Sequence, residues 1–244
     1  MATYFISDLH LREDQPQIAQ GLLKFLTETT QNADAVYILG DLFEYWIGDD
    51  GAQLLGVEPI LQAMKKRAQS TQCFFIAGNR DFLVRDGFAS STGFKILDDE
   101  TVVDLYGTPT LLLHGDSLCT DDVAHQEFRK TMVTNAQWCN EFLAQPIEQR
   151  IALAQQARQQ SNDHKASVSM SIMDVSETAV LNAFKQHNVT HMIHGHTHRQ
   201  NIHKYESGDG SQLTRTVLGD WGKTNSVLTV SPETRTLDNT PLTA

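Results

Sequence analysis

Five times along this chain a short apolar run stops at a polar signal carrying Asp, His or Asn. The clearest is Val36 to Glu44, read Val-Tyr-Ile-Leu-Gly-Asp-Leu-Phe-Glu. β-branched and aromatic residues halted by Gly40 predict a buried strand, with Asp41 just past its C-terminal end. Open α/β sheets keep their ligand sites at that end of the strands. The same arrangement recurs where Thr3 to Ile6 runs into Ser7-Asp8-Leu9-His10 and Cys73 to Ala77 into Gly78-Asn79-Arg80-Asp81. It returns where Thr110 to Leu113 runs into His114-Gly115-Asp116, and Thr190 to Ile193 into His194-Gly195-His196-Thr197-His198-Arg199. Asp8 and His10, two residues apart, fall on one side of an extended segment, where they can share one cation. Asp41 is then expected to be the carboxylate shared by two metals on which the other strand ends converge.

The intervening segments predict how those ends are brought together. From Pro16 to about Thr30 the residues Ile18, Leu22, Phe25 and Leu26 recur at helical spacing, and a second helix is expected over Leu54 to Ala68. Strand, helix, strand order implies parallel pairing with right-handed crossovers. Phe43, Tyr45 and Trp46 are expected to pack over the sheet edge. A hairpin is predicted for Thr101 to Leu105 and Thr110 to Leu113, turning at Gly107-Thr108-Pro109, and Asp122 is placed to cap the helix that follows. Residues 123–171 break the rhythm with helical patterns alone, and are read as a helical cap inserted into a single domain spanning 1–244. A further helix at Val175 to His187 and strands at Asn201 to Tyr205, Thr214 to Leu218 and Ser226 to Val230 complete the reading.

A chain of 244 residues can bury one large core. Its cysteines, Cys73, Cys119 and Cys139, share no close spacing, which speaks against a disulfide framework or zinc knuckle and for a reducing compartment. The start has no basic segment leading into an apolar one, and no apolar run approaches the length needed to span a bilayer, so a cytoplasmic protein is expected. A formal net charge of -11 argues against a nucleic-acid partner. It leaves an anionic substrate open, because bound divalent cations would neutralise several of the aspartates.

Taken together, Asp8-x-His10, Gly40-Asp41, Gly78-Asn79, His114 and Gly195-His196-x-His198 reproduce, in order, the pattern of the calcineurin-like metallophosphoesterase superfamily, which this sequence resembles from Asp8 to Arg199. The resemblance implies an α/β fold, a four-layer αββα sandwich. It implies one metal on Asp8, His10, Asp41 and His198, and a second on Asp41, Asn79, His114 and His196. Imidazole, carboxylate and amide without thiolate suit Mn²⁺, Fe or Zn²⁺, and the oxygen share favours two Mn²⁺ ions. His194 lies outside the pattern and is expected to be structural.

Arg80 departs from the superfamily, which usually carries His there to protonate an alkoxide leaving group. Arginine cannot give up a proton at working pH. A phosphate leaving group needs none, so Arg80 favours a pyrophosphate over a simple phosphomonoester. Within the superfamily the chain is similar to the pyrophosphatases of lipid A biosynthesis, on the stretches Ile6 to Leu11, Tyr37 to Asp50, Gly78 to Leu83, Leu113 to Asp122, Ile172 to Val175 and Ile193 to Arg199. That resemblance implies a UDP-linked diacylated glucosamine as substrate, catalysis by Asp41, Asn79, Arg80 and His196, and substrate contacts from Asn79, Arg80, Asp122, Ser161, Lys165 and His196. It also implies acyl chains held by the cap, and a monomer peripheral to the cytoplasmic face of the bacterial inner membrane. The family usually has lysine where this chain has Val168, and residues 121–174 carry five Lys or Arg against seven Asp or Glu, so the cap itself adds no net attraction to an anionic membrane. Two alternatives stay open: a nucleotide pyrophosphatase or phosphodiesterase of the same fold without a lipid substrate, and a non-catalytic scaffold.

Overall fold

The computed structural model describes residues 1–167, 174–208, 210–222 and 224–241, with side chains at all of these but 160–167, 240 and 241. Strands β1 (Ala2–Ile6), β2 (Ala33–Leu39), β3 (Gln72–Ile76) and β4 (Lys95–Leu97) lie parallel and in chain order. They are joined through α1 (Pro16–Lys24), α2 (Glu58–Ala68) and α3 (Asp86–Thr92). Strands β5 (Thr101–Leu105) and β6 (Thr108–Leu112) form a hairpin, followed by β7 (His191–His194), β8 (Asn201–Glu206) and β9 (Gln212–Val217). The chain closes with β10 (Thr224–Val230) and β11 (Arg235–Pro241). One sheet has the order β11-β10-β1-β2-β3-β4, the other β5-β6-β7-β9-β8.

Strand periodicity decides how these sheets stack. Phe5, Leu39 and Ile76 of the first sheet meet Leu112, Ile193 and Leu218 of the second. Their neighbours Ile6, Ile38 and Phe75 point the other way, onto Ile18, Leu22, Met64 and Phe88 of the helices. On the far side, Leu111 and Met192 pack against Val180 and Phe184 of α7 (Glu177–His187). The result is helix, sheet, sheet, helix, and the strands read as unbroken apolar runs because both faces are covered.

Several local expectations shift. The hairpin turns at Tyr106 and Gly107, both left-handed (φ 56 and 85), with Leu105 paired to Thr108 and Asp104 to Pro109. Pro109 is therefore a strand residue; it sits in a non-hydrogen-bonded pair beside the turn, where its missing N–H costs no ladder bond. The second helix starts at Glu58 rather than Leu54, because Gly56 adopts a left-handed conformation (φ 64) and Pro59 belongs in a first helical turn. The helix from Pro16 ends at Lys24 and continues as a π-helical turn, Phe25–Thr29. Helix α3 and strands β4 and β11, absent from the sequence reading, are short or mostly polar, and their pairing is set by neighbours.

Between β6 and α7 the chain forms α4 (Val123–Phe128), a π-helical turn, α5 (Ala136–Leu143) and α6 (Ile147–Ser167). Asp122 caps α4 by accepting from His125 N, and Asn135 caps α5 by accepting from Trp138 N. Buried Arg150 of α6 ties this insert to the body: Nη1 donates to Ile47 O at 2.6 Å, and the guanidinium forks onto the Asp50 carboxylate at 2.8 and 2.5 Å.

The inter-sheet layer should dominate stability. Phe5 is fully buried and stacks on Tyr37 at 4.9 Å. Phe5→Ala is expected to lose about 3–5 kcal/mol in urea unfolding, whereas Ile202→Ala, at 41% exposed, should change stability by less than about 0.5 kcal/mol.

Candidate metal centre

Because β1, β2 and β3 run parallel, as do β6 and β7, their C-terminal ends share one rim. Asp8 and His10 follow β1, Asp41 follows β2, Asn79 follows β3, His114 follows β6, and His196 and His198 follow β7. Two groups form there. Asp8, His10 and His198 have donor atoms within 4.8 Å of one another, and so do Asp41, His114 and His196. His10 Nε2 lies 3.2 Å from His198 Nε2, and Asp8 Oδ1 lies 3.4 Å from the same atom. His114 Nε2 lies 3.2 Å from Asn79 Oδ1. Asp41 sits between the groups, with Oδ1 3.6 Å from His114 Nε2 and Oδ2 4.0 Å from His10 Nδ1.

The backbone is bent to achieve this. Asp8, His10, Asp41, His196 and His198 all have positive φ, between 49 and 67. A non-glycine residue there costs of order 1–3 kcal/mol and persists where the surroundings over-determine it. Close backbone approach is the second device. A Cβ on Gly78 would lie 2.2 Å from Asp41 Oδ1, and one on Gly195 would lie 2.2 Å from Asp8 Oδ2. Only glycine lets those strand ends touch the carboxylates.

Hydrogen bonds lock the result. Fully buried Asp81 accepts from Gly78 N and Leu42 N at 2.7 Å and from Asp41 N at 3.2 Å, binding the ends of β2 and β3 together. Burial and the adjacent Asp41 push its pKa up to about 7. Asp8 Oδ2 accepts from Ser7 Oγ and His196 N, and Asp41 Oδ1 accepts from Arg80 N at 2.9 Å. His114 Nδ1 donates to Leu39 O at 2.9 Å, turning Nε2 toward Asp41 and Asn79.

The electrostatics suit cations. Burial keeps His196 well below the usual imidazole range and brings His10 down to about 4, leaving both neutral and able to donate lone pairs. Burial would also lower His114, but Asp41, Asp8 and Asp116 outweigh it and push it up to about 9, a proton held where a metal would compete. For Asp8, burial is outweighed by His198, His114 and His10, which hold the carboxyl well below its normal range. Among the described residues, Asp8 Oδ1 and His10 Nδ1 are buried without a hydrogen-bond partner. Orphaned polar atoms of this kind, beside two groups of oxygen and imidazole donors, fit divalent ions.

Beside the rim a cavity of about 680 Å³ opens between the body and the insert. Asn79 and Arg80 are among its lining residues, and Trp46, Phe82, Leu83, Phe128, Met132, Trp138, Phe142 and Leu153 supply apolar walls. Burial pulls the Arg80 guanidinium down from its ordinary value, with Asp41 opposing. Buried Asp122 serves as the cap of α4, at the insert's entry. The side chains of Ser161 and Lys165, and all of Val168, lie outside the described residues. His194 is buried and belongs to neither donor group, being bonded to Gly195 O and Arg215.

Sequence reasoning missed residues the tertiary fold delivers. His125 of α4 lies 5.1 Å from the His196 ring, and Glu44 Oε2 lies 3.9 Å from His10 Nδ1. Arg129 binds Asp99 at 2.6 Å and faces Asp116 at 3.6 Å. Only their spacing of three residues from Asp122 and Asp41 marks His125 and Glu44 in the sequence.

A two-sheet sandwich with two donor groups on its parallel strand ends defines a metallophosphoesterase. The chain belongs to the calcineurin-like phosphoesterase family, whose model matches residues 1–200. It is 46% identical to a UDP-2,3-diacylglucosamine hydrolase of Nitrosococcus oceani, over 96% of this chain and 92% of that protein. It is 45% identical to one of Xanthomonas axonopodis pv. citri, over 99% and 100%. Among solved structures, an archaeal phosphodiesterase superposes with a TM-score of 0.50 at 13% identity, covering 99% of each chain, a likeness of fold alone.

The close approach of Gly78 to Asp41 is directly testable. Gly78→Ala should displace the Asp41 carboxylate and lower bound divalent metal below two ions per chain, as measured by elemental analysis of the folded protein. A full complement of two would show that the contact does not govern binding.

Proposed function

We propose that this protein hydrolyses the pyrophosphate bond of UDP-2,3-diacylglucosamine, releasing UMP and 2,3-diacylglucosamine 1-phosphate. The observation that carries this reading is the apolar cavity of about 680 Å³ beside the donor groups, lined by Arg80 and by Asn79, itself a candidate ligand. Such a shape accepts acyl chains while presenting a phosphate to the rim. The names of the relatives support the same substrate.

In this reading Asp8, His10, Asp41 and His198 hold one ion and Asp41, Asn79, His114 and His196 the other, with Asp41 in common. The donor set, without thiolate, favours Mn²⁺. When bound, such a pair of ions supplies a nucleophilic water at neutral pH and neutralises charge on the phosphoryl oxygens. The chain's own residues do the rest. Asn79 and His196 present polar atoms to the phosphoryl group undergoing attack. Arg80 grips the substrate phosphate and, as a permanent cation, stabilises the departing phosphate, which carries off the electron pair of the broken P–O bond and needs no proton. Asp122, Ser161 and Lys165 contact the substrate, and residues 123–171 act as a cap within a single domain, gripping the acyl chains.

A substrate anchored in a bilayer calls for an enzyme that works peripherally at the cytoplasmic face of the inner membrane, and we propose that it does so as a monomer. No helix among the described residues is long and apolar enough to cross one.

The decisive assay compares turnover of UDP-2,3-diacylglucosamine with UDP-sugars lacking acyl chains, using Mn²⁺-reconstituted protein. The acylated substrate should have a kcat/KM at least about 100-fold higher, since burying a few methylenes at about 0.8 kcal/mol each gives that much. Equal rates would overturn the lipid assignment. Arg80→Ala should lower kcat/KM by about 10²–10³, the usual loss for one charge-stabilising donor, while two Mn²⁺ stay bound. Unchanged kinetics would remove Arg80 from the site.

A further inference from the structure

Three imidazoles at the rim each turn one nitrogen inward and the other outward. His114 Nδ1 meets Leu39 O at 2.9 Å, and His198 Nδ1 faces Asp220 Oδ2 at 3.7 Å. His10 repeats the orientation: its Nε2 points at His198 Nε2, and its Nδ1 faces Glu44 Oε2 at 3.9 Å. Glu44 is itself buried, and its other oxygen, Oε1, is ion-paired with Nε of Arg158. Arg158 belongs to α6 of the insert, and both residues line the cavity. A chain of contacts therefore runs from the insert to a candidate ligand: Arg158, Glu44, His10.

Ligating imidazoles as a rule donate their second ring N–H to a carboxylate or carbonyl, which fixes the tautomer and aims the lone pair. His10 Nδ1 is buried with no hydrogen-bond partner, and of the two carboxylates facing it, Asp41 at 4.0 Å and Glu44 at 3.9 Å, Glu44 is the one that is not itself a candidate ligand. We propose that Glu44 is a positioning residue for His10, accepting its Nδ1–H and thereby aiming Nε2 at the first ion, and that Arg158 holds Glu44 in place from the insert. The segment that covers the substrate cavity is thus coupled to the affinity of one metal position. A buried carboxylate is costly unless a cation pairs with it, and the Arg158 guanidinium supplies that pairing.

The inference rests on reading His10 as a ligand of the first ion. Mn²⁺ titrations of the metal-free full-length protein, followed by electron paramagnetic resonance and calorimetry, separate the two. His10→Ala should abolish one of two binding events; two unchanged events would overturn the ligand reading. Glu44→Ala should weaken that same event by about 10–100-fold, the usual effect of removing an outer partner, and leave the other unchanged. Glu44→Gln, which keeps size and an acceptor oxygen, should recover part of the loss. Arg158→Met should weaken the same event, and combining it with Glu44→Ala should add nothing further. If His10→Ala loses an ion while Glu44→Ala and Glu44→Gln, both folded by circular dichroism, bind two with unaltered affinity, the positioning role is wrong. Full additivity of the Arg158 and Glu44 effects would overturn the coupling to the insert.

Discussion

Everything at the rim follows from burying Asp8 and Asp41, exposed by 0% and 2%, within reach of several imidazoles. Carboxylates lose their hydration on burial and survive only where charge or hydrogen bonds replace it. Here the replacement is incomplete in the protein alone. Asp8 Oδ1 lacks a hydrogen bond, and the Asp41 carboxylate lies between two groups of nitrogen and oxygen donors. The cluster is built for positive charge. The left-handed backbone at five of its members and the glycines beneath its carboxylates are the conformational means of holding it together.

The sheets supply the force that holds that geometry. Parallel β1, β2 and β3 and parallel β6 and β7 bring separate turns to one rim, and the inter-sheet layer of Phe5, Leu39, Ile76, Leu112 and Ile193 keeps the two halves in register. Asp81 then couples the ends of β2 and β3 through backbone N–H groups, so that Asp41 and Asn79 are presented together. Tight packing below allows strained loops above, since the strain of a few turns is small beside the burial of two sheets and their helices.

The helical insert sets what can approach. Its arginines reach carboxylates on the body: Arg129 to Asp99, Arg150 to Asp50, and Arg158 to Glu44. Two of these carboxylates lie next to candidate ligands, since Asp99 Oδ1 accepts from His114 N and Glu44 faces His10. The apolar cavity and the donor groups are therefore parts of one electrostatic arrangement. Formal composition hides this, because the insert's arginines Arg129, Arg150 and Arg158 are turned onto carboxylates of the body.

Much of this protein is written locally. A strand that must be apolar on both faces and stop at a glycine declares itself without tertiary information, and so do Asp8-x-His10, Gly40-Asp41, Gly78-Asn79 and Gly195-His196-x-His198. Helical spacing marked the insert, and Asp122 declared itself as a cap. Set beside the superfamily pattern, Arg80 in the place of histidine was the reason to expect a leaving group that needs no proton. Contacts between residues far apart in sequence were decided only by the folded chain. Tyr106 and Gly107 took the turn because left-handed backbone pairs Leu105 with Thr108, and the mostly polar β11 formed because β10 offered it an edge. Glu44, His125 and Arg158 came to the rim from loop and insert, and the cavity wall was assembled from the loops after β2 and β3 and from the α4, α5 and α6 segments. Ligand identity is a matter of residue type at a strand end, which one stretch of sequence can carry; outer partners and cavities depend on packing among stretches, which no single one contains.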